Sequence, residues 1–266
     1  MLAAVIGWPV EHSRSPAIHN AAAQAVGVDL VYVALAVRPG QGAAAAAAMR
    51  TLGVRGMSVT MPHKADVIAA LDELTPQAET LGAVNHITNT DGHLAGNNTD
   101  GPGFVLGLQR DAAVDVSEKR VGVFGAGGAA RAVVAGCADS GADVVVVARD
   151  PTKAAKAASV APGRATADTI DAFGECDVVV NATPIGMAGF KADVSVPFDV
   201  SSLKDGTVVV DIVYKPLETP LLTAARTRGL PTVDGLSMLV GQAAAQFESW
   251  TGVEAPYDAM RAAARG

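Results

Sequence analysis

A lysine just past the end of a short apolar run, in Ser58-Val59-Thr60-Met61-Pro62-His63-Lys64, has the makings of acid–base chemistry. The proline orders the turn before it. A lysine held in place rather than left on a solvated stem is a candidate proton donor or acceptor. The plainer alternative is a surface lysine at a helix start, although the positive end of a helix dipole disfavours a cation there. Asp100, closing the polar run Asn97-Asn98-Thr99-Asp100, could pair with Lys64 and fix its rotamer, could cap the helix that follows, or could do both. Asn85 adds an amide at another strand boundary. Near the N-terminus, His12-Ser13-Arg14-Ser15 carries two hydroxyls separated by one residue. They could hydrogen-bond a carboxylate or a polyol; equally, Ser15 could cap the next helix and Ser13 belong to a loop.

A second kind of chemistry is written into Arg120–Arg131, RVGVFGAGGAAR. An apolar run breaks at Gly125-Ala126-Gly127-Gly128-Ala129-Ala130, which is G-x-G-x-x-A, and continues as an alanine-rich helical pattern. Gly125 would make the tight turn and Gly127 would let the backbone approach a pyrophosphate. Ala130 is small enough for the helix to pack on its strand. The helix N-terminus offers unpaired N–H groups to phosphate. Glycine-rich turns are common, but a strand before, a helix after and a second strand at Asp143–Val147 make the context right for a dinucleotide. Two further polar strand ends, Asn181–Met187 and Asp211–Tyr214, would face a nicotinamide, or are turn chemistry of Pro, Gly and Asn.

The elements that must position these residues follow from periodicity. Strands are expected at Leu2–Ile6, Leu30–Val37, Gly56–Thr60, Ala83–Thr88 and His93–Gly96, the last two around a turn at Asn89–Gly92. Helices fall between them: one opened by Ser15-Pro16 and running to about Val26, an alanine run at Gln41–Arg50, then His63–Leu71 and Pro76–Leu81. This βαβαβα order predicts a three-layer α/β domain over residues 1–101. A helix at about Pro102–Arg110 leads into a second domain, 102–237, with strands at 121–124, 143–147, 177–181 and 207–212 and a short one at 231–233. Another short strand is expected near Arg164, and helices at 127–138, 151–158 and 219–228. Two last helices within 238–266, Met238–Trp250 and Tyr257–Ala264, are expected to pack back on the first domain.

With 266 residues, half of them apolar, the chain can bury one large core or two ordinary ones. A net charge of −7 argues against nucleic acid or an anionic membrane surface as partner. Cys137 and Cys176 match no metal or disulfide spacing and read as small buried hydrophobes in a reducing compartment; no metal is expected. The N-terminal MLAAVIGWPV lacks a basic start and breaks at Gly7 and Pro9, so it reads as a strand, not a signal peptide, and no run is long enough to span a bilayer. A cytoplasmic protein is expected.

Together these groups resemble the shikimate dehydrogenase family. The matching stretches are GWPVEHSRSPAIHN (7–20), SVTMPHK (58–64), GAVN (82–85), NTDGPG (98–103), GAGGAAR (125–131), NATPIGM (181–187), DIVYKP (211–216) and DGLSMLVGQAAAQF (234–247). They run in the family's order over nearly the whole chain. The resemblance implies a substrate domain plus a Rossmann-type domain with the active site in the cleft between them. It implies reversible, NADPH-linked reduction of 3-dehydroshikimate to shikimate, on the route to chorismate and the aromatic amino acids. By matching positions, Lys64 and Asp100 would be the catalytic pair, and Ser13 and Ser15 would bind the substrate carboxylate. Thr60, Asn85, Tyr214 and Gln242 would join Asp100 around the ring and its hydroxyls. Gly125, Ala126, Gly127, Gly128, Ala129, Arg149, Lys153, Thr183, Ile212, Gly235 and Met238 would hold the cofactor. The small-molecule substrate is the only partner implied, in a monomer or a homodimer.

Three departures stand out. The family usually has Asn before V-T-x-P, where this chain has Ser58, which shortens a polar side chain near the catalytic lysine. His86 sits where Thr is common after G-A-V-N, without an evident reason. After the second strand of the dinucleotide domain, the usual Asn-Arg-Thr is Ala148-Arg149-Asp150. Arg149 can stack on adenine and pair with a 2′-phosphate, helped by Lys153 or Lys156. Asp150 would repel that phosphate if turned inward, or could accept from a 2′-hydroxyl. Ala148 at the strand's end argues against strict NAD use, so NADP is expected with NAD as a possibility. Two rivals remain: an NAD-dependent quinate/shikimate dehydrogenase, and a non-catalytic nucleotide-sensing module. Retention of both Lys64 and Asp100 speaks against the module.

Overall fold

Short runs of valine, alanine and isoleucine, stopped by glycine, proline or a polar pair, are what a parallel sheet covered on both faces requires. The computed structural model, which describes residues 1–192 and 194–266, contains two sheets of six strands, one in each of two units, the first mixed and the second all parallel. The first unit is Met1–Thr99 with Gln242–Gly266, and the second is Asp100–Gly241.

In the first unit the chain runs β1 (Leu2–Gly7), α1 (Ser15–Val26), β2 (Val31–Ala36), α2 (Gly42–Leu52), β3 (Gly56–Val59), β4 (Glu73–Leu74), α3 (Pro76–Leu81), β5 (His86–Thr90) and β6 (His93–Asn97). The sheet order is β2-β1-β3-β5-β6-β4. β1 is parallel to β2 and to β3, with Ile6 opposite both Leu35 and Val59. The loops leaving β1 and β3 therefore start side by side. β5 and β6 are antiparallel across a two-residue turn, Asp91 and Gly92, both at positive φ (52° and 91°), as a type I′ hairpin demands. Ile6, Met49, Val67, Ile87 and Leu94 form part of the core, all fully buried. α9 (Tyr257–Arg265) packs on α1, and the Arg14 guanidinium donates to the carbonyl of Ala264.

The second unit runs α4 (Asp100–Ala112), β7 (Arg120–Phe124), α5 (Gly128–Asp139), β8 (Asp143–Val147), α6 (Pro151–Ala158), β9 (Ala165–Ala167), β10 (Val178–Asn181), β11 (Val208–Asp211), α7 (Pro220–Thr227) and β12 (Thr232–Val233). The helix α8 (Leu236–Thr251) begins in this unit and continues into the first. All strands are parallel, in the order β12-β11-β10-β7-β8-β9. That is a doubly wound sheet whose order reverses between β7 and β10, the place where such sheets bind ligands. Cys137 and Cys176 are free and buried, and burial pushes the Cys137 thiol up to about 12.

Several expectations need correcting. No α-helix spans 63–71: turns at 61–65 lead into a single 3₁₀ stretch, Asp66–Ala70. The reason is local. The Lys64 carbonyl is taken by Val84 N at 2.7 Å, and the buried His63 ring reaches the Val37 carbonyl at 2.8 Å, so the segment is tied to its neighbours. Lys64 thus sits at no helix start, and the dipole argument about it lapses. Ser15 is the first helical residue of α1, not its cap; Arg14 occupies the cap with no side-chain bond. The fourth expected strand begins at His86 instead of Ala83, and α4 begins at Asp100 instead of Pro102. Among the described residues, no helix is long and apolar enough to cross a membrane.

Candidate active site

Ser13 and Ser15 lie on the loop leaving β1, and Ser13 Oγ accepts from Ser15 N at 3.3 Å, an ST-type turn that shapes the loop. Thr60 follows β3 directly. Its N–H donates to Ile6 O at 3.0 Å, and its carbonyl accepts from His63 N at 3.0 Å, which carries the chain round Pro62 to Lys64. The bond from Val84 N then holds the Lys64 backbone against the segment bearing Asn85. Lys64 and Thr60 are half-buried, whereas Ser15 and Asn85 are buried.

Asn85 is oriented from both sides. Its carbonyl accepts from Val59 N at 2.8 Å, and its side-chain Oδ1 accepts from Thr99 N at 2.7 Å and Thr99 Oγ1 at 3.2 Å. Gln246, on α8, faces three acceptors from Nε2, Gln242 Oε1 (2.7 Å), Thr99 Oγ1 (3.1 Å) and Asn85 O (3.3 Å), which its two N–H groups share, the two longer contacts dividing one of them. The structure therefore brings Asn85, Gln242 and Thr99 into one hydrogen-bonded group, beside the strand ends that carry Ser15, Thr60 and Lys64. Asp100 is buried at the first turn of α4.

In the second unit, β7 ends at Gly125, whose φ of +134° would strain any side chain. A Cβ there would also lie 2.8 Å from Ala182 O. Gly127 and Gly128 have open space where a Cβ would stand, so a ligand can come against bare backbone. Gly125, Ala126 and Gly127 line a cavity of about 920 Å³ together with Arg149, Asp150, Lys153 and Thr183. A smaller hollow of about 260 Å³ beside it is lined by Gly127, Gly128, Arg131, Lys153 and Lys156. Three cations over a glycine turn at a helix N-terminus are the donor set that a phosphate group requires. Thr183 is fixed by Asn181, whose Oδ1 accepts from Thr183 N (3.1 Å) and Oγ1 (2.7 Å). Asn181 donates in turn to Asp211 Oδ1 at 3.0 Å, and Thr219 donates to Asp211 Oδ2 at 2.7 Å. Burial raises the Asp211 carboxyl to about 6 despite these donors. Ile212, Gly235 and Met238 do not line the main cavity. Ile212 and Met238 belong to the apolar core, and Gly235 lets its backbone cross β11's end, where a Cβ would meet Ile212 O at 2.5 Å. Ala129 lines neither hollow, and Tyr214 is half-buried just beyond β11.

Residues 5–87 match the shikimate dehydrogenase substrate binding domain, 235–265 the shikimate 5′-dehydrogenase C-terminal domain, and 120–215 a family described as NADP oxidoreductase, coenzyme F420-dependent. A shikimate dehydrogenase (NADP⁺) of Geobacter sp. (strain M21) is 41% identical over 97% of this chain and 92% of its own. The chain belongs to the shikimate dehydrogenase family. The Thermus thermophilus shikimate 5-dehydrogenase, solved with NADP(H) and shikimate, superposes with a TM-score of 0.90 at 34% identity, covering 100% of this chain and 98% of that one. A Corynebacterium glutamicum quinate dehydrogenase solved with NAD gives 0.88 at 34%, covering 99% and 98%.

Within this shikimate dehydrogenase family member, the structure accounts for the departures. Ser58 is not an unfilled gap: its Oγ accepts from the Tyr32 hydroxyl at 2.6 Å and donates to Gln246 Oε1 at 2.5 Å. His86 is buried against Trp250, ring centroids 5.3 Å apart, with Nε2 3.3 Å from Thr88 Oγ1, and burial lowers its pKa to about 4. It is a neutral packing residue. Asp150 caps α6, its Oδ1 accepting from Thr152 N at 2.9 Å and Lys153 N at 3.4 Å. Sequence reasoning missed Tyr32 and Gln246, and it missed Phe190 and Lys191, which line the large cavity. Gln246 did leave a signal, since it lies one helical turn beyond Gln242 on the same face.

Proposed function

We propose that the protein is a shikimate dehydrogenase catalysing the reversible, NADPH-linked reduction of 3-dehydroshikimate to shikimate. The observation that carries this reading is that one chain combines an oriented amide and hydroxyl group, Asn85–Thr99–Gln242, with a glycine turn flanked by Arg149 and Lys153. A relative of the same fold is solved with NADP(H) and shikimate.

The first unit then serves as the substrate domain, close to residues 1–101 with 238–266, and residues 102–237 serve the cofactor. Ser13 and Ser15 hold the substrate carboxylate. Thr60, Asn85, Asp100, Tyr214 and Gln242 meet the ring hydroxyls. Lys64 delivers a proton to the ketone oxygen and stabilises the charge that develops there, and Asp100 fixes the lysine's rotamer. Bound NADPH supplies the hydride. Gly125, Ala126, Gly127, Gly128 and Ala129 offer backbone to the pyrophosphate. Arg149 and Lys153 take the 2′-phosphate, and Thr183, Ile212, Gly235 and Met238 border the nicotinamide. The residues fit that cofactor: bare backbone at Gly127 and three cations around it suit a phosphorylated dinucleotide. A cytoplasmic enzyme, monomeric or homodimeric, with no nucleic acid or membrane as partner, completes the reading.

The NAD-linked quinate/shikimate alternative is favoured by Asp150 and by the quinate dehydrogenase neighbour. It is disfavoured by the capping bonds that engage the Asp150 carboxylate and by Ala148 at the end of β8. Initial rates with shikimate or quinate crossed against NADP⁺ or NAD⁺ decide the matter. The proposal expects shikimate with NADP⁺ to dominate. Comparable rates with quinate and NAD⁺ would move the protein to the alternative, and cofactor binding without turnover in any pairing would make it a sensor.

A further inference from the structure

The geometry points to Gln246 as a positioning residue, backed by Ser58 and Tyr32, that turns the Gln242 amide so that it meets a substrate oxygen as a donor. This inference rests on the reading of Gln242 as a substrate contact. The side chains concerned all belong to the first unit, and Tyr32, Ser58 and Gln246 are buried.

An amide can be turned over without changing its shape, so its direction must be set by neighbours that can play only one part. Asn85 O is a backbone carbonyl and only accepts. The Gln246 atom facing it at 3.3 Å is therefore the nitrogen, and the atom facing Ser58 at 2.5 Å is the oxygen. Ser58 must then donate to Gln246. Its own acceptor role is filled by Tyr32, whose hydroxyl donates at 2.6 Å. Deep burial raises the Tyr32 phenol well above its ordinary pKa and keeps that proton in place. With its direction fixed, Gln246 Nε2 lies 2.7 Å from Gln242 and needs an acceptor there, so Gln242 Oε1 faces inward to the relay. Asn85 is pinned in the same sense by a second one-way group, the backbone N–H of Thr99, on its Oδ1 at 2.7 Å.

Both amides thus turn their oxygens to these protein donors, and the N–H side of each faces the other way. That polarity suits hydroxyl or ketone oxygens presented by their lone pairs, and it penalises a ligand that brings only donors to these positions. Ser58 is part of the device. A hydroxyl can accept from Tyr32 and donate to Gln246 at once, so a Ser-length side chain completes the relay.

The test is steady-state kinetics of the full chain with shikimate and NADP⁺, reading KM for each. For Gln246→Leu we expect KM for shikimate to rise about tenfold or more while KM for NADP⁺ stays within about twofold. Ser58→Ala, which removes the hydroxyl that fixes Gln246 Oε1, should move the shikimate KM the same way by about threefold and stands in should Gln246→Leu not fold. Gln242→Ala is the control, and Gln246→Leu should add little to it, because its effect passes through Gln242. Unchanged shikimate KM in the folded Gln246 and Ser58 variants, with Gln242→Ala impaired, would overturn the positioning role alone. Full additivity of the Gln246 and Gln242 changes would overturn it too. An unimpaired Gln242→Ala would instead remove Gln242 from the substrate, and the inference with it.

Discussion

Replacing His19 by Phe should make the protein markedly more resistant to mild acid. His19 is fully buried in α1, stacked on Tyr32 (centroids 4.3 Å apart, 10° between planes) and close to Trp250 and Phe247. Neither ring nitrogen has a hydrogen-bond partner among the described residues. Burial, with a smaller contribution from the facing His86, lowers its pKa from 6.5 to about 3. The native ring therefore refuses a proton that the unfolded chain accepts below pH 6.5. Its stability contribution is complete above that pH and is lost as pH falls from 6.5 toward 3. At ~1.36 kcal/mol per pH unit, His19 alone removes about 2 kcal/mol between pH 7 and pH 5.

The wild-type pH profile mixes this with other groups. His86, lowered to about 4, pulls the same way. Asp211, raised to about 6, pulls the other way: the native state binds its proton more readily than the unfolded chain does, which restores about 1 kcal/mol by pH 5. The difference between wild type and His19→Phe cancels both. Phenylalanine keeps the stacking and removes two buried nitrogens that lack partners, so near-equal stability is expected at pH 7. At pH 5 the variant should lead by about 2 kcal/mol more. Urea unfolding followed by tryptophan fluorescence reads this directly, because the two tryptophans, Trp8 and Trp250, both lie in the first unit. An equal difference at the two pH values would mean that the native ring protonates freely and is not dry.

Four other outcomes are expected. Lys64→Ala should lower kcat by about 10²–10⁴ with circular dichroism and NADP⁺ binding unchanged; near-normal turnover would take the proton-transfer role away from it. Arg149→Ala should raise KM for NADP⁺ by about ten- to a hundredfold and leave NAD⁺ kinetics nearly alone, whereas equal effects on both cofactors would place the guanidinium away from the 2′-phosphate. Asp150→Ala removes the cap of α6 and should cost about 1 kcal/mol in urea unfolding without weakening NADP⁺; a tighter fold would contradict the capping bonds. Gly125→Ala forces a side chain into φ +134° and within 2.8 Å of Ala182 O, so fluorescence titration should find NADPH binding lost.

What could be read along the chain was whatever repeats at short range. Strands of β-branched residues, glycines at fixed offsets in G-x-G-x-x-A and a proline-ordered turn before Lys64 are local signals, and the two α/β units followed from them. Local signals also misled. His63–Leu71 has helical composition, yet the Lys64 carbonyl is claimed by Val84, twenty residues on, and a single turn of 3₁₀ helix is what remains. The relay behind the substrate residues was illegible for the same reason, at longer range. Tyr32 meets Ser58 across 26 residues, and Ser58 meets Gln246 across 188. Each, taken singly, is an ordinary residue on an apolar element, a tyrosine in a strand or a glutamine in an alanine-rich helix. Their meaning lies in which oxygen accepts and which nitrogen donates, and that is decided only when a backbone carbonyl and a backbone N–H from the approaches to β5 and α4 are brought against them. Sequence spacing can name the side chains that face a substrate, but the direction in which they present their hydrogens is a property of the folded network.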